Sequence, residues 1–368
     1  MTRERVLVAM SGGVDSSVAA ALLSRQGYDV VGVTMKLFHD GGELPDRPCC
    51  SLDSVNDARR VCEKLGIPHY VLNLQDPFGR DVVQDFVEEY ARGRTPIPCV
   101  RCNTFTKFRD LVVKADSIDA RWIATGHYAR VIDGALHRGV DEAKDQTYFL
   151  WGIDRGVLDR LLLPVGGLTK SETRALAADL TLPRMATKPE SQEICFVPDG
   201  DYAKVLRREL GADAPALSAG PIVTETGEQI GMHDGFAHFT IGQRRGLPSG
   251  GSAPRYVVAI RPATREVVVG PREALLGHGV IVRGVNWLVA DVPSVGSRVQ
   301  LRVRHRHTPT AAEIVRFERD ELELALDEPV AAIAPGQSLV LYDGTRTLGG
   351  GVIEAARRAR GVLPLLSV

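Results

Sequence analysis

Arg5-Val6-Leu7-Val8-Ala9-Met10, then Ser11-Gly12-Gly13-Val14-Asp15-Ser16-Ser17, then Val18 through Gln26: this opening stretch decides the fold. A short apolar strand runs into a glycine turn. The turn runs into a helix whose Val18, Leu22 and Leu23 fall at helical spacing, with Gly27 at its end. The layout is that of a phosphate cradle. Glycines let backbone N–H groups approach an anion, and the helix N-terminus adds a partial positive charge. Ser16 and Ser17 supply hydroxyls, and Asp15 is the natural contact for Mg²⁺ on the phosphates. The turn lacks the lysine with which a Walker loop reaches the β- and γ-phosphates. It therefore suits a grip on pyrophosphate, in a reaction that splits ATP between its α- and β-phosphates. The competing reading is a glycine turn with a serine N-cap.

Outward from this turn, the first 200 or so residues alternate strand and helix patterns, as an α/β domain with a mostly parallel sheet does. Strands are expected at Asp29 to Phe38, Pro68 to Leu74 and Trp122 to Thr125, and helices at 52–65, Asp76 to Arg92 and Lys170 to Leu180. Arg94-Thr95-Pro96-Ile97-Pro98 reads as a proline-stiffened loop, followed by a helix through Phe105, Phe108, Leu111 and Val112. Past residue 200 a helix at Asp201 to Leu210 leads into short strands. Thr226-Gly227 and Pro262-Ala263-Thr264-Arg265 sit where hairpin turns do. From 276 on the pattern is almost all β, with turns expected at Gly296, Asp327-Glu328-Pro329, Pro335-Gly336 and Asp343-Gly344, which suits a small barrel or sandwich. The expected division is 1–200 catalytic, 201–275 a small central α+β domain, and 276–368 a C-terminal β-barrel.

A chain of 368 residues accommodates two or three domains. Its formal net charge is -1, so a nucleic-acid partner has to be held by a local patch. No apolar run is long enough for a membrane helix, and the charged start is unlike a signal peptide, so a cytoplasmic, membrane-free protein is expected. Six cysteines in a chain of this length are not a disulfide framework. Cys62 reads as a buried structural thiol. Cys99-Val100-Arg101-Cys102 opens a helix, where the dipole and the adjacent Arg101 favour a thiolate at Cys102. Together with Cys195, these residues fit either a metal or iron–sulfur site, which Cys49-Cys50 would extend, or sulfur-carrying catalysis. Spacing alone leaves both open. His127 follows an apolar strand at an expected carboxyl edge, where a hydrogen-bonded histidine and a ligand contact are both ordinary. In Arg298 to His307 the period is two, placing Arg298, Arg302, Arg304 and Arg306 opposite Val299, Leu301 and Val303. That is either a solvated barrel face or a phosphate-backbone contact, to which Arg244-Arg245 adds.

The motif SGGVDSS resembles the N-type ATP pyrophosphatases, a superfamily with a Rossmann-like domain that adenylates substrates. Further motifs narrow the resemblance: Thr34-Met35-Lys36, TPIPCVRCN (95–103), ATGHYAR (124–130), KDQTYFL (144–150), KPESQEICFVPDGDY (188–202), TIGQRRGL (240–247) and PGQS (335–338). In order, and across nearly the whole chain, they resemble the tRNA-specific 2-thiouridylases. That resemblance implies ATP-dependent adenylation of the uracil 2-oxygen of a tRNA wobble uridine, followed by sulfur displacing AMP. Cys195 falls at the persulfide position and Cys102 at the nucleophile position, and turnover leaves a Cys102–Cys195 disulfide. Ala9, Met10, Ser11, Gly12, Gly13, Val14, Asp15, Ser16, Met35 and Gly126 fall at nucleotide contacts. Ile97, Pro98 and Cys99 fall where the target base is held, and His127, Lys144, Asp145, Gln146, Arg304, His305 and Gln337 at tRNA contacts. Some members carry an Asp, in an acid/base role, where this chain has Cys99, so either this thiol serves in its place, or that role is not needed, or three thiols ligate a cluster. The implied partners are a tRNA, a persulfide donor (a cysteine desulfurase or relay protein) and a reductant. The implied cofactors are ATP and Mg²⁺, with an iron–sulfur cluster as the alternative use of the thiols. Two other readings are an amide-forming ATP pyrophosphatase, which needs an ammonia source, and a non-catalytic tRNA-binding or metal-sensing protein, which leaves SGGVDSS unexplained.

Overall fold

The computed structural model describes residues 3–37, 52–180, 194–197, 200–248, 254–358 and 361–362. Phe38, Cys49, Cys50 and most of the stretch before Cys195 lie outside them. The chain forms two bodies. The first comprises Met1–Val82, Cys99–Gly200 and Thr345–Leu348, and the second Val83–Pro98, Asp201–Gly344 and Gly349–Val368.

The first body is built on β1 (Arg5–Ala9), β2 (Asp29–Lys36), β3 (His69–Asn73), β4 (Trp122–Ala124) and β7 (Leu161–Leu162), in the order β3-β2-β1-β4-β7. Every pairing is parallel. Val6, Leu7 and Val8 have no exposed surface, as a strand covered on both faces requires. Val6 and Val8 share one core with Val14, Val18 and Leu23 of α1 (Val14–Arg25), Ala58 and Val61 of α2 (Leu52–Leu65), and Ala177 of α7 (Lys170–Asp179). Leu7 alternates to the opposite side, where α6 (Arg109–Asp116) packs on β1 and β4. The hairpin of β5 (Ala129–Ile132) and β6 (Ala135–Arg138) turns at Asp133-Gly134, both with positive φ.

The helix expected over Asp76 to Arg92 is interrupted. α3 (Gln75–Phe78) passes through a π-helical turn, Gly79–Val83, into α4 (Gln84–Ala91). The helix after the proline loop likewise begins as α5 (Pro98–Arg101), widens to a π segment at Cys102–Phe108 and resumes as α6.

In the second body, Phe86 and Tyr90 of α4 pack on Tyr202 of α8 (Tyr202–Leu210), with Tyr90 and Tyr202 stacked at 4.7 Å. A four-stranded sheet follows, β10-β11-β8-β9, from β8 (Gly220–Thr224), β9 (Gln229–His233), β10 (Tyr256–Arg261) and β11 (Glu266–Gly270). β12 (Leu276–Trp287), β15 (Glu321–Ala331), β14 (Thr310–Glu318), β13 (Arg298–Arg302), β16 (Ser338–Asp343) and β17 (Arg346–Arg358) form a closed antiparallel barrel, the β12–β17 pairing completing the ring. Closure leaves no sheet edge, and Val280, Leu301, Ile314, Leu324, Leu341 and Ile353 fill the interior with no exposed surface.

Two expectations change here. Asp327-Glu328-Pro329 is not a turn. It lies within β15, where the register against β12 jumps between Gly277 and Gly279, so Pro329 sits at a bulge. The basic period also fails at its centre. β13 ends at Arg302, which is 5% exposed with its guanidinium over the Tyr342 ring, while Arg304 and Arg306 are exposed on the turn beyond. Arg298 is already paired with Asp327 and faces Glu313 across the strand.

Candidate active site

Strand order reverses beside β1: β2 and β3 lie on one side, β4 on the other. The carboxyl ends of β1 and β4 are thus a topological switch point, where open parallel sheets bind ligands. Ser11 to Asp15 leave β1 there, and Thr125, Gly126 and His127 leave β4. The two segments touch closely. A Cβ on Gly126 would lie 2.5 Å from the Ser16 nitrogen. Gly12 has φ +66°, and a Cβ there would lie 2.3 Å from the Ser54 carbonyl oxygen of α2. Both glycines are therefore dictated by close backbone approach.

No side chain caps α1 at Gly13. The serines brace the turn instead. Ser16 Oγ accepts from the Ser11 nitrogen (3.1 Å), and Ser17 Oγ donates to the Gly13 carbonyl (2.8 Å). This corrects the simple serine-cap reading. Ala9 and Met10 close the strand beneath the turn. Met35, 8% exposed, lies one residue before the end of β2 at the same carboxyl edge.

Asp15 accepts from Lys170 Nζ at 2.7 and 2.9 Å and from the Tyr128 hydroxyl at 2.8 Å. Neither partner was singled out from sequence. Lys170 comes from the first turn of α7, fixed by a capping box between Thr169 and Glu172. A lysine there runs against the helix dipole, which is the signal that could have flagged it. The cation absent from the loop's own sequence is thus supplied by a residue 155 positions later.

His127 accepts or donates at Nδ1 with Thr125 Oγ1 (2.7 Å) and stacks on Phe108. Burial, with a smaller contribution from Lys107, pushes its pKa down to about 3, so its ring is neutral near pH 7. Gln146 Oε1 accepts from the Tyr128 nitrogen (2.9 Å). Asp145 is 1% exposed, and its carboxylate accepts from Gly139 N, Thr147 N and Thr147 Oγ1. It shapes the loop that carries Lys144 and Gln146 rather than presenting a charge at the surface.

Cys102 is buried, at the start of the π segment, and Cys99 is exposed one turn earlier. Asn103 Nδ2 ties this segment to Phe149 O (2.9 Å). Arg101 Nε donates to Asp81 O (2.8 Å), and its guanidinium covers the Phe105 ring. Cys195 is partly exposed beside Phe196, whose ring meets Phe78 of α3 edge-on at 5.8 Å. α3 in turn packs against the Cys102–Phe108 segment. Cys62 is buried in the core of the first body. Among the described residues, no three His, Cys, Asp or Glu side chains come together as a metal site. The described thiols therefore do not supply the three ligands a cluster needs. Also among the described residues, no helix is long and apolar enough to cross a membrane.

Ile97 and Pro98 lie in the second body, as do the exposed Arg304, the half-buried His305, and Gln337, whose Nε2 donates to Thr95 O (2.9 Å).

A glycine turn at the switch point of a parallel sheet, with a lysine–aspartate pair at its helix, defines a nucleotide-handling α/β domain, here followed by two β domains. Residues 4–199 match a family model described as the tRNA methyl transferase HUP domain, 210–271 its PRC-barrel domain, and 277–353 the aminomethyltransferase beta-barrel domain. The chain belongs to the tRNA-specific 2-thiouridylase family. It is 47% identical over 365 residues to the tRNA-specific 2-thiouridylase MnmA of Geotalea uraniireducens (strain Rf4), with 96% of each chain covered. It is 48% identical over 368 residues to that of Rhodospirillum rubrum, covering 96% of this chain and 97% of the relative. A solved 4-thiouridine synthetase–RNA complex with bound ATP is 16% identical, covering 57% of this chain and 51% of that one, with a TM-score of 0.36, too low to bear on the fold.

Proposed function

We propose that this chain is a tRNA uridine 2-sulfurtransferase. ATP lies with its phosphates on Ser11 to Ser16, its base toward Met35 and Gly126, and Mg²⁺ arriving on the phosphates. The observation that carries the reading is the uncapped turn wedged against Gly126 and faced by the Asp15–Lys170 pair. Helix N-terminus and lysine together stabilise the departing pyrophosphate. The wobble uridine, held by Ile97, Pro98 and Cys99, attacks the α-phosphate through its 2-oxygen. A poor carbonyl leaving group becomes an AMP ester.

A persulfide delivered by a donor protein sits on Cys195. The Cys102 thiolate attacks the Cys195 sulfur, the S–S bond to the terminal sulfur breaks, and the expelled hydrosulfide adds at C2 and displaces AMP. A Cys102–Cys195 disulfide remains, which a two-electron reductant resets. Cys99 replaces the carboxylate of some relatives at the acid/base position. Exposed Arg304 with His305 and Gln337, and Lys144 with Gln146 and His127, contact the RNA, and Asp145 holds the Lys144 loop in shape.

The test is incubation with tRNA, Mg-ATP and a persulfide source, followed by nucleoside mass spectrometry. 2-Thiouridine is expected from the wild type and none from Cys102→Ser or Cys195→Ser. Full thiolation by either variant refutes the cysteine roles. Glutamine-dependent AMP release without tRNA would point to amide synthesis instead.

A further inference from the structure

Three stretches far apart in sequence meet at Thr95. Its N–H donates to Pro335 O (2.9 Å), its carbonyl accepts from Gln337 Nε2 (2.9 Å), and its hydroxyl donates to Thr240 Oγ1 (3.3 Å). One residue earlier, Arg94 is 9% exposed. Its Nε reaches Glu89 Oε2 and its Nη1 reaches Glu354 Oε2, both at 2.7 Å, and its Nη2 donates to Ile353 O at 3.2 Å. The fit is close on both sides. Gly93 has φ +68°, and a Cβ there would lie 2.9 Å from Ile260. Gly336 has φ +87°, and a Cβ there would lie 2.8 Å from the Thr95 nitrogen. Gly242, in the Thr240 loop, leaves room for Ala332, itself at φ +57°. All of these residues belong to the second body.

A connecting loop is ordinarily exposed and held at its ends. This one spends a desolvated guanidinium and every polar group of a threonine on its middle, an outlay that stability alone does not require. Two and three residues after Thr95 come Ile97 and Pro98.

We infer that Arg94 and Thr95 are positioning residues for the target base, and that Gln337 joins the barrel's hold on RNA to the segment carrying Ile97 and Pro98; the inference rests on the function proposed above. RNA seated on the barrel turn at Pro335-Gly336-Gln337 meets a side chain already bonded to the base-holding loop. Docking of the RNA and placement of the base then become one geometric event. Adenylation depends on that placement, since attack by the 2-oxygen needs a near-attack geometry.

The test uses the full-length enzyme and a tRNA carrying a fluorescent pyrimidine at the wobble position. Wild type, Arg94→Lys and Gln337→Ala are compared for melting temperature, ATP affinity, tRNA affinity, probe fluorescence and tRNA-dependent pyrophosphate release. Both variants are expected to bind ATP as the wild type does; Arg94→Lys keeps the KM for tRNA within about threefold, whereas Gln337→Ala, which also loses an RNA contact, is compared at saturating tRNA. Their kcat falls roughly tenfold or more, and the fluorescence change on binding is lost. An unchanged kcat overturns the inference, and so does a fall that tracks lost folding or lost tRNA affinity with the probe signal intact. Should Arg94→Lys fail to fold, Gln337→Ala decides by the same readings. A wild type that releases pyrophosphate without tRNA refutes the proposed function itself, which separates the two failures.

Discussion

A methyl group on Gly126 would press on the Ser16 amide nitrogen at 2.5 Å, and backbone cannot yield as a side-chain tip does. Gly126→Ala is therefore expected to weaken ATP binding on the order of a hundredfold and also to lower the thermal midpoint, measured by calorimetry with and without a non-hydrolysable analogue. Lys170→Met removes the cation on Asp15 and should lower the rate of pyrophosphate release about 10²-fold or more. A wild-type rate in rapid-quench assays would show that the lysine acts only on structure. His127 makes a third prediction, through pH. Its folded pKa of about 3 lies below that of the unfolded chain, so below about pH 6.5 the unfolded chain binds more protons and stability falls with pH. His127→Gln should remove up to about 1.4 kcal/mol per pH unit of that slope in urea titrations between pH 7 and 5. His69, His137, His233, His238 and His307 are shifted the same way by burial and keep the remainder.

The elements differ in how plainly the sequence announces them. β1 and β2 are apolar throughout because both faces are covered, and that reads directly. The π turns do not. Their extra residue per turn leaves the side-chain pattern of 98–116 looking like an ordinary helix, and only the hydrogen bonds reveal it. Alternation predicts β13 up to Leu301 and fails at Arg302, because the strand ends there and the next cations ride on a turn. The cations consequently should not act alike. Arg304→Ala and Arg306→Ala should each weaken tRNA binding and reduce the salt slope by about one. Arg298→Ala, whose charge is already met by Asp327, should leave that slope unchanged in filter-binding titrations from low to moderate salt. The phosphate turn was legible because strand, glycine turn and helix follow one another directly in the chain, although the contact that forces Gly12 comes from Ser54 of α2. Lys170, Tyr128 and Thr95 were not, since their partners lie 155, 113 and up to 242 residues away and nothing local marks them.

For the molecule as a whole, the proposed reaction divides into an adenylation half and a sulfur-transfer half. Cys195→Ser should still form one equivalent of pyrophosphate per enzyme with tRNA present, in single-turnover assays, while making no thiouridine. Loss of both together would mean that the cysteine serves adenylation as well. The path of the chain carries one more consequence. It passes between the two bodies after Val82, Pro98, Gly200, Gly344 and Leu348. A gene cut at 200 would thus not yield an independent nucleotide-binding module. The fragment would retain α4 without Tyr202, an uncovered aromatic face, and Arg94 with Glu89 but without Glu354 and the Ile353 carbonyl. Evolution has therefore had little freedom to shuffle these parts, and chimeras between relatives should express well only when residues 83–98 are inherited from the same parent as the barrel.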